Sequence, residues 1–131
     1  MPERAGPRFV VVGAGLVGSM AAAMLGREGF PVEVIERRGD PRTGRMEGGR
    51  SINLAISARG IHALSRLGLD RDIEALGIPL YRRAMHATNG TLSYQNYGVG
   101  RQAIHSFSRS ELNRALVRVA GESPNVSFQF G

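Results

Sequence analysis

The 131-residue chain has no cysteine, no tryptophan and no lysine, and only 6% of its residues are aromatic. Without cysteine there is neither a disulfide scaffold nor a thiolate metal site, and the composition sits with a reducing compartment. Three scattered histidines, His62, His86 and His105, give no metal-ligand spacing. No apolar run approaches the roughly 20 residues that span a bilayer, and Met1-Pro-Glu-Arg4 leads toward the first strand without a signal-peptide pattern. The chain therefore reads as soluble, with no membrane segment. All 17 basic residues are arginine, with a formal charge of +6 and a pI near 11.2. Their spread along the whole chain argues against a nucleic-acid partner, and the missing lysine points to a coding bias toward arginine, as in a GC-rich bacterial genome. A chain of this length is one domain or part of one, able to bury roughly two-thirds of its unfolded surface.

What is present is ordered around Gly13-Ala14-Gly15-Leu16-Val17-Gly18. The β-branched run Arg8-Phe-Val-Val-Val12 precedes it, and apolar residues at helical spacing (Ala22, Leu25) follow until Gly29. The pattern predicts strand, glycine turn and helix. Val32-Glu-Val-Ile35 reads as a second strand with Glu36 at its carboxyl end. In that register Gly13 permits a tight turn, Gly15 lets the backbone approach a pyrophosphate, and Gly18 lets helix and strand pack closely. The helix N-terminus offers unpaired N–H groups and a positive dipole end to phosphates. Glu36 is placed to accept hydrogen bonds from ribose hydroxyls and to repel a 2′-phosphate. A dinucleotide site is the expectation; the plainer alternative is a glycine-rich helix start in some other α/β protein.

Arg37, Arg38, Arg42, Arg45 and Arg50 crowd the loop after Glu36, where phosphates would lie, although a solvated arginine-rich loop explains part of this crowding. Residues 39–50 read as loop and Ser51–Ala55 as extended. Ser57 is expected to cap a helix with Ile61, Leu64 and Leu67 on its buried stripe, ended by Gly68, and Asp70 to cap a shorter helix through Leu76, before Gly77 and Pro79 break the pattern. From Tyr81 to Phe107 the chain reads as one small antiparallel sheet: Arg82–Thr88, a type I′ turn at Asn89-Gly90, a return strand from Thr91, and a third run at Gln102–Phe107. A two-residue turn pairs Arg83 with Asn96 and sets Tyr97 opposite Arg82, on the other face from Arg83 unless a bulge intervenes. Ser108-Arg-Ser-Glu111 is a capping box for a helix to about Gly121, and Asn125–Phe130 is a last strand. The fold class is α/β: a Rossmann-like parallel β-α-β sheet whose crossover carries a helical and antiparallel insertion, an incomplete fold.

Gly13–Gly18, Glu36-Arg-Arg38, Gly49-Arg-Ser-Ile-Asn-Leu-Ala-Ile-Ser57, Ile78-Pro79, Arg83 with His86, Tyr97-Gly98, and Ser108-Arg109 through Leu112-Asn113 together resemble the kynurenine 3-monooxygenases among the class A flavoprotein hydroxylases. The first two motifs are shared by many flavoproteins; the Gly-Arg-Ser-Ile-Asn-Leu-Ala stretch is more particular. The resemblance implies FAD as cofactor, NADPH as co-substrate, reaction of reduced flavin with O₂ to a C4a-hydroperoxide, and hydroxylation of L-kynurenine ortho to its amine, giving 3-hydroxykynurenine. It implies FAD contacts at Val17, Glu36, Arg37, Arg38, Ala55 and Arg109, beside Gly13, Gly15 and Gly18, and a substrate carboxylate held by Arg83 and Tyr97. No catalytic base and no metal are implied, because the ring is activated by its own amino group. Asn96 and Ala84 depart from the proline and methionine usual in the family.

On this reading, residues 1–57 form the FAD-binding unit and its loop, 58–107 begin a substrate domain, and 108–131 return to the first. The chain is expected to be about the first third of such an enzyme, lacking a later Gly-Asp flavin motif and inactive alone. It would be cytoplasmic if bacterial, and at the mitochondrial outer membrane if eukaryotic and full length. Taken alone, Arg83 reads as a surface arginine, Tyr97 as a half-buried sheet residue, and His86 and His105 as packed in the sheet. Arg109 at a helix start opposes the dipole unless an anionic ligand lies there. Two other classes stay open: an NAD-dependent dehydrogenase, which shares the first 36 residues, and a non-catalytic truncated flavoprotein fragment.

Overall fold

The computed structural model describes residues 6–44 and 53–131. They divide into two compact units, one of residues 110–131 with the amino-terminal part through residue 44, the other of residues 53–109.

In the first unit, β1 (Phe9–Val12), α1 (Leu16–Arg27), β2 (Val32–Glu36) and β8 (Val126–Phe130) build a parallel sheet in the order β1-β2-β8. The register runs Phe9↔Val32 to Val12↔Ile35, and Val32↔Val126 to Glu36↔Phe130. Alternation along β2 turns Val32, Val34 and Glu36 to the buried side, so the two-residue period of a strand puts a carboxylate in the row that two valines occupy. Helix α1 packs onto this sheet through Ala22 and Ala23, both fully buried. The approach is close: a Cβ on Gly18 would stand 2.0 Å from the Gly13 carbonyl oxygen and 3.2 Å from Val11 Cγ1. Gly13 itself has φ +101°, which disfavours any side chain.

Helix α4 (Arg109–Gly121) buries Leu112, Ala115, Leu116, Val117, Val119 and Ala120 and begins directly after Ser108, where the capping box is expected. Within the first unit, α4 is tied to the short 3₁₀ turn at Pro41–Thr43: Arg114 Nε donates to the Pro41 carbonyl at 3.0 Å, and the Arg42 guanidinium lies 5.4 and 5.7 Å from the stacked rings of Phe128 and Phe130. Asp40 accepts from both the backbone and the guanidinium of Arg42. Among the arginines expected near phosphates, Arg42 is thus engaged by Asp40 and the two rings; Arg45 and Arg50 lie outside the described residues.

In the second unit, β3 (Asn53–Ile56), β7 (Ile104–Ser108) and β4 (Ile78–Leu80) form an antiparallel sheet in the order β3-β7-β4, while β5 (Arg82–His86) and β6 (Leu92–Asn96) stand as a separate hairpin. The single antiparallel sheet expected from Tyr81 to Phe107 is thus divided: its third run pairs with β3 and β4 instead. Gly77 and Pro79, expected only to break the helical pattern, lie just before and within β4, which occupies an edge, where proline is tolerated. Helices α2 (Ala58–Ser65) and α3 (Asp70–Leu76) bury Leu64 and Ile73, the turn between them buries Leu67 and Leu69, and Phe107 of β7 is fully buried beside Gly77. Ser57 sits at the N-cap of α2 without a side-chain bond, and Asp70 is the first residue of α3, with Leu69 at the N-cap. A carboxylate in the first turn favours the dipole without capping, so the helix begins near the expected place by a different means.

Candidate functional site

At the carboxyl ends of β1 and β2 the glycine turn and Glu36 meet. The Gly13 N–H donates to the Ile35 carbonyl at 2.7 Å, and the Ala14 N–H donates to Glu36 Oε2 at 2.8 Å. Glu36 Oε1 accepts from the Arg38 N–H at 2.9 Å and from Arg38 Nε at 3.1 Å. The Arg38 guanidinium, seconded by backbone donors at Arg38 and Ala14, holds the Glu36 carboxyl down at about 2 against the opposing effect of burial. Glu36 is therefore ionised at neutral pH. Three of its roughly four acceptor positions are in use, leaving one on Oε2.

Four observations fit this end of the sheet to a dinucleotide. The amides of Leu16, Val17 and Gly18 precede the first intrahelical bond, which runs from the Ser19 N–H to the Gly15 carbonyl at 2.9 Å, and no side chain among the described residues caps them. No acidic residue stands in the first turn to use the dipole. A Cβ on Gly15 would meet nothing within 4 Å, so the space beside the turn is open. Val17, an apolar side chain at the helix start, is 84% exposed. Among the described residues, two shallow clefts of about 340 and 270 Å³ lie at the amino ends of the strands, lined by Gly26, Pro124 and Asn125 and by Arg8, Pro31 and Glu33. Ligands of open parallel sheets bind outside the carboxyl ends, so we place the site at the glycine turn.

Gly13, Gly15, Val17, Gly18, Glu36, Arg37 and Arg38 are thereby gathered within the first unit. Ala55 and Arg109 belong to the second, Ala55 on β3 opposite Ser106 and Arg109 exposed at the start of α4.

The second unit also holds Arg83 and Tyr97, and there the expected register is wrong by one residue. The turn is a three-residue loop: the Gly90 N–H donates to the Ala87 carbonyl at 3.0 Å and the Ala87 N–H to the Thr91 carbonyl at 2.9 Å. Gly90 takes φ +84°, whereas Asn89 stays at negative φ, its Oδ1 accepting the Thr91 N–H at 3.0 Å. A type I′ turn needs positive φ at both residues; this is a type I turn closed by a glycine bulge. The ladder becomes Arg82↔Asn96, Arg83↔Gln95 and Ala84↔Tyr94, and the Tyr97 N–H donates to the Tyr81 carbonyl at 2.9 Å. Arg83, Gln95, Tyr97 and Tyr81 consequently share one face. Arg82 lies on the other, 4.4 Å over the Tyr94 ring. His86 is exposed on β5 and His105 half-buried on β7, its Nδ1 without a hydrogen-bond partner. Sequence reasoning passed over Gln95, which binds Arg83; the signal lay in the loop length that sets its register.

The FAD binding domain family matches residues 8–131. The chain is 46% identical over 125 residues to kynurenine 3-monooxygenase of Cytophaga hutchinsonii, covering 94% of this chain and 28% of that protein. It is 48% identical over 126 residues to the Salinispora tropica protein of the same name, with the same coverages, and 43% over 123 residues to that of Sus scrofa, covering 94% and 26%. The chain thus spans little more than a quarter of the relatives it matches. Among solved structures, p-nitrophenol 4-monooxygenase of Pseudomonas putida superposes with TM-score 0.77 at 24% identity, over 94% of this chain and 31% of that one. 2-Methyl-3-hydroxypyridine-5-carboxylic acid oxygenase superposes with TM-score 0.78 at 21% identity, over 96% and 32%. These structures speak to the fold alone. The strand, glycine turn, helix and acidic strand end, matched by the family across nearly the whole chain, make this a member of the FAD binding domain family, with FAD as its cofactor.

Proposed function

We propose that the protein to which this chain belongs is an FAD- and NADPH-dependent monooxygenase that hydroxylates L-kynurenine to 3-hydroxykynurenine. The observation that carries the reading is the hairpin register: a guanidinium, Arg83, and a phenol, Tyr97, are diagonal neighbours on one face, as capture of an amino-acid carboxylate requires. The similarity to relatives of that name, over 94% of this chain, supports the substrate. When bound, FAD supplies the reaction of its reduced ring with O₂ and the transfer of one oxygen atom to the substrate ring.

The chain's own residues bind and orient. Gly13, Gly15, Val17 and Gly18 present the first-turn amides of α1 to the pyrophosphate, and Glu36 accepts a ribose hydroxyl at its remaining position. Its negative charge, pinned by Arg38, disfavours a nucleotide with a 2′-phosphate at this site. Arg37 and Arg38 complete the FAD contacts of the first unit in this proposal. Arg83 grips the kynurenine carboxylate and Tyr97 donates its hydroxyl to the same group, which fixes the amino-acid end and directs the ring.

The test compares Arg82→Ala with Arg83→Ala in the full-length protein, reading kynurenine-stimulated NADPH oxidation and flavin content. Arg83→Ala should raise the kynurenine requirement by about tenfold to a hundredfold, the loss of a charge-assisted contact, with flavin retained. Loss of kynurenine binding in Arg82→Ala, with Arg83→Ala unaffected, would defeat the assignment.

A further inference from the structure

We propose that Gln95 is a positioning residue that sets which edge of the Arg83 guanidinium is offered to the substrate carboxylate; this rests on the reading of Arg83 as the carboxylate ligand. Gln95 lies directly opposite Arg83 in the hairpin, on the face that also carries Tyr97. Its Oε1 accepts from Arg83 Nε at 2.8 Å and also from Nη2. A guanidinium has two edges able to grip a carboxylate with two parallel bonds, the side edge of Nε and one Nη, and the far edge of the two Nη groups. Gln95 occupies the side edge, and the far edge, Nη1 with the second hydrogen of Nη2, remains for a ligand. An amide oxygen is suited to this because it accepts without charge. A carboxylate at the same place would neutralise Arg83 and compete with the ligand. An aliphatic residue would leave a long side chain to be ordered on binding.

Arg83 is exposed and has no other hydrogen-bond or ion-pair partner among the described residues, so the Gln95 amide is what restricts it. Arg82 is held in a different way, over the face of Tyr94, on the side of the hairpin that carries neither Gln95 nor Tyr97. The two adjacent arginines thus lie on opposite faces, and it is Arg83 that offers a two-donor edge on the face carrying Tyr97.

The experiment measures steady-state kinetics of the full-length holoenzyme and its Gln95→Leu, Gln95→Glu and Arg83→Gln variants, with kynurenine and with its decarboxylated amine. Gln95→Leu should raise KM for kynurenine roughly threefold to tenfold, the cost of ordering one long side chain on binding, at unchanged kcat and flavin content. Gln95→Glu should raise it further. Neither should alter KM for the decarboxylated analogue, and Gln95→Leu should add nothing on top of Arg83→Gln. If Arg83→Gln raises KM for kynurenine but Gln95→Leu and Gln95→Glu do not, the positioning role falls and the Arg83 reading stands. If Arg83→Gln leaves KM unchanged, both fall. Equal effects of Gln95→Leu on kynurenine and the analogue would make its role merely structural and also overturn the proposal.

Discussion

Replacing Glu36 by glutamine removes one charge from the end of β2 and changes little else in shape. In the folded protein this carboxyl is held at about 2 instead of its ordinary 4.5, mainly by the Arg38 side chain. At about 1.4 kcal/mol per pH unit, that difference has a ceiling of about 3 kcal/mol. The Arg38 side chain is 62% exposed against 9% for Glu36, so water screens the largest contribution, and about 1–2 kcal/mol is the working value. Because the folded-state value lies below the unfolded one, this stability is fully present above about pH 4.5. It is lost as the pH falls toward about 2, where the folded carboxylate takes its proton too. Urea unfolding of the apoprotein at a series of pH values should therefore show wild type more stable than Glu36→Gln by about 1–2 kcal/mol at pH 6, with the two converging toward pH 2. FAD affinity, read from quenching of flavin fluorescence, should fall by roughly tenfold to a hundredfold, as expected for lost charge-assisted bonds. A stability difference of constant size across the whole pH range would refute the charge-based account of Glu36. Unchanged FAD affinity would remove Glu36 from the cofactor site.

Gly18→Ala places a methyl group 2.0 Å from the Gly13 carbonyl, so we expect destabilisation of about 1–3 kcal/mol with loss of flavin, seen as a lower urea midpoint and a colourless protein. Arg42→Ala gives up the Asp40 clamp and the contact with Phe128 and Phe130, which should lower stability by about 1 kcal/mol while KM for kynurenine stays unchanged. The 131-residue chain expressed alone should aggregate through β1, an outer strand with Val12 85% exposed. Val12→Lys should reduce light scattering without lowering the melting temperature, and undiminished scattering would point to another surface.

Much of the first unit was legible in the chain because its rules are local. β-branched runs, a glycine turn and apolar spacing set β1, α1 and β2 within a residue or two, and the two-residue period of β2 put Glu36 in the buried row without reference to anything distant. The Asp40–Arg42 clamp is local but went unread in the sequence, and its consequence depends on Phe128 and Phe130, which arrive from the far end of the chain. What tertiary structure alone decided were the pairings. β7 carries the same alternation whether it joins β6 or runs between β3 and β4; its partners are 49 to 55 residues away on one side and 24 to 28 on the other, a choice made by burial of Phe107 and not by local propensity. β4 was hidden because a proline is read as a break until an edge position is known. The hairpin shows how narrow the margin is. Asn89-Gly90 supports a two-residue or a three-residue loop, and the Asn89 side chain bound to the Thr91 amide selects the second. Since strand faces alternate with every residue, that single step moved Tyr97 from the face of Arg82 to the face of Arg83.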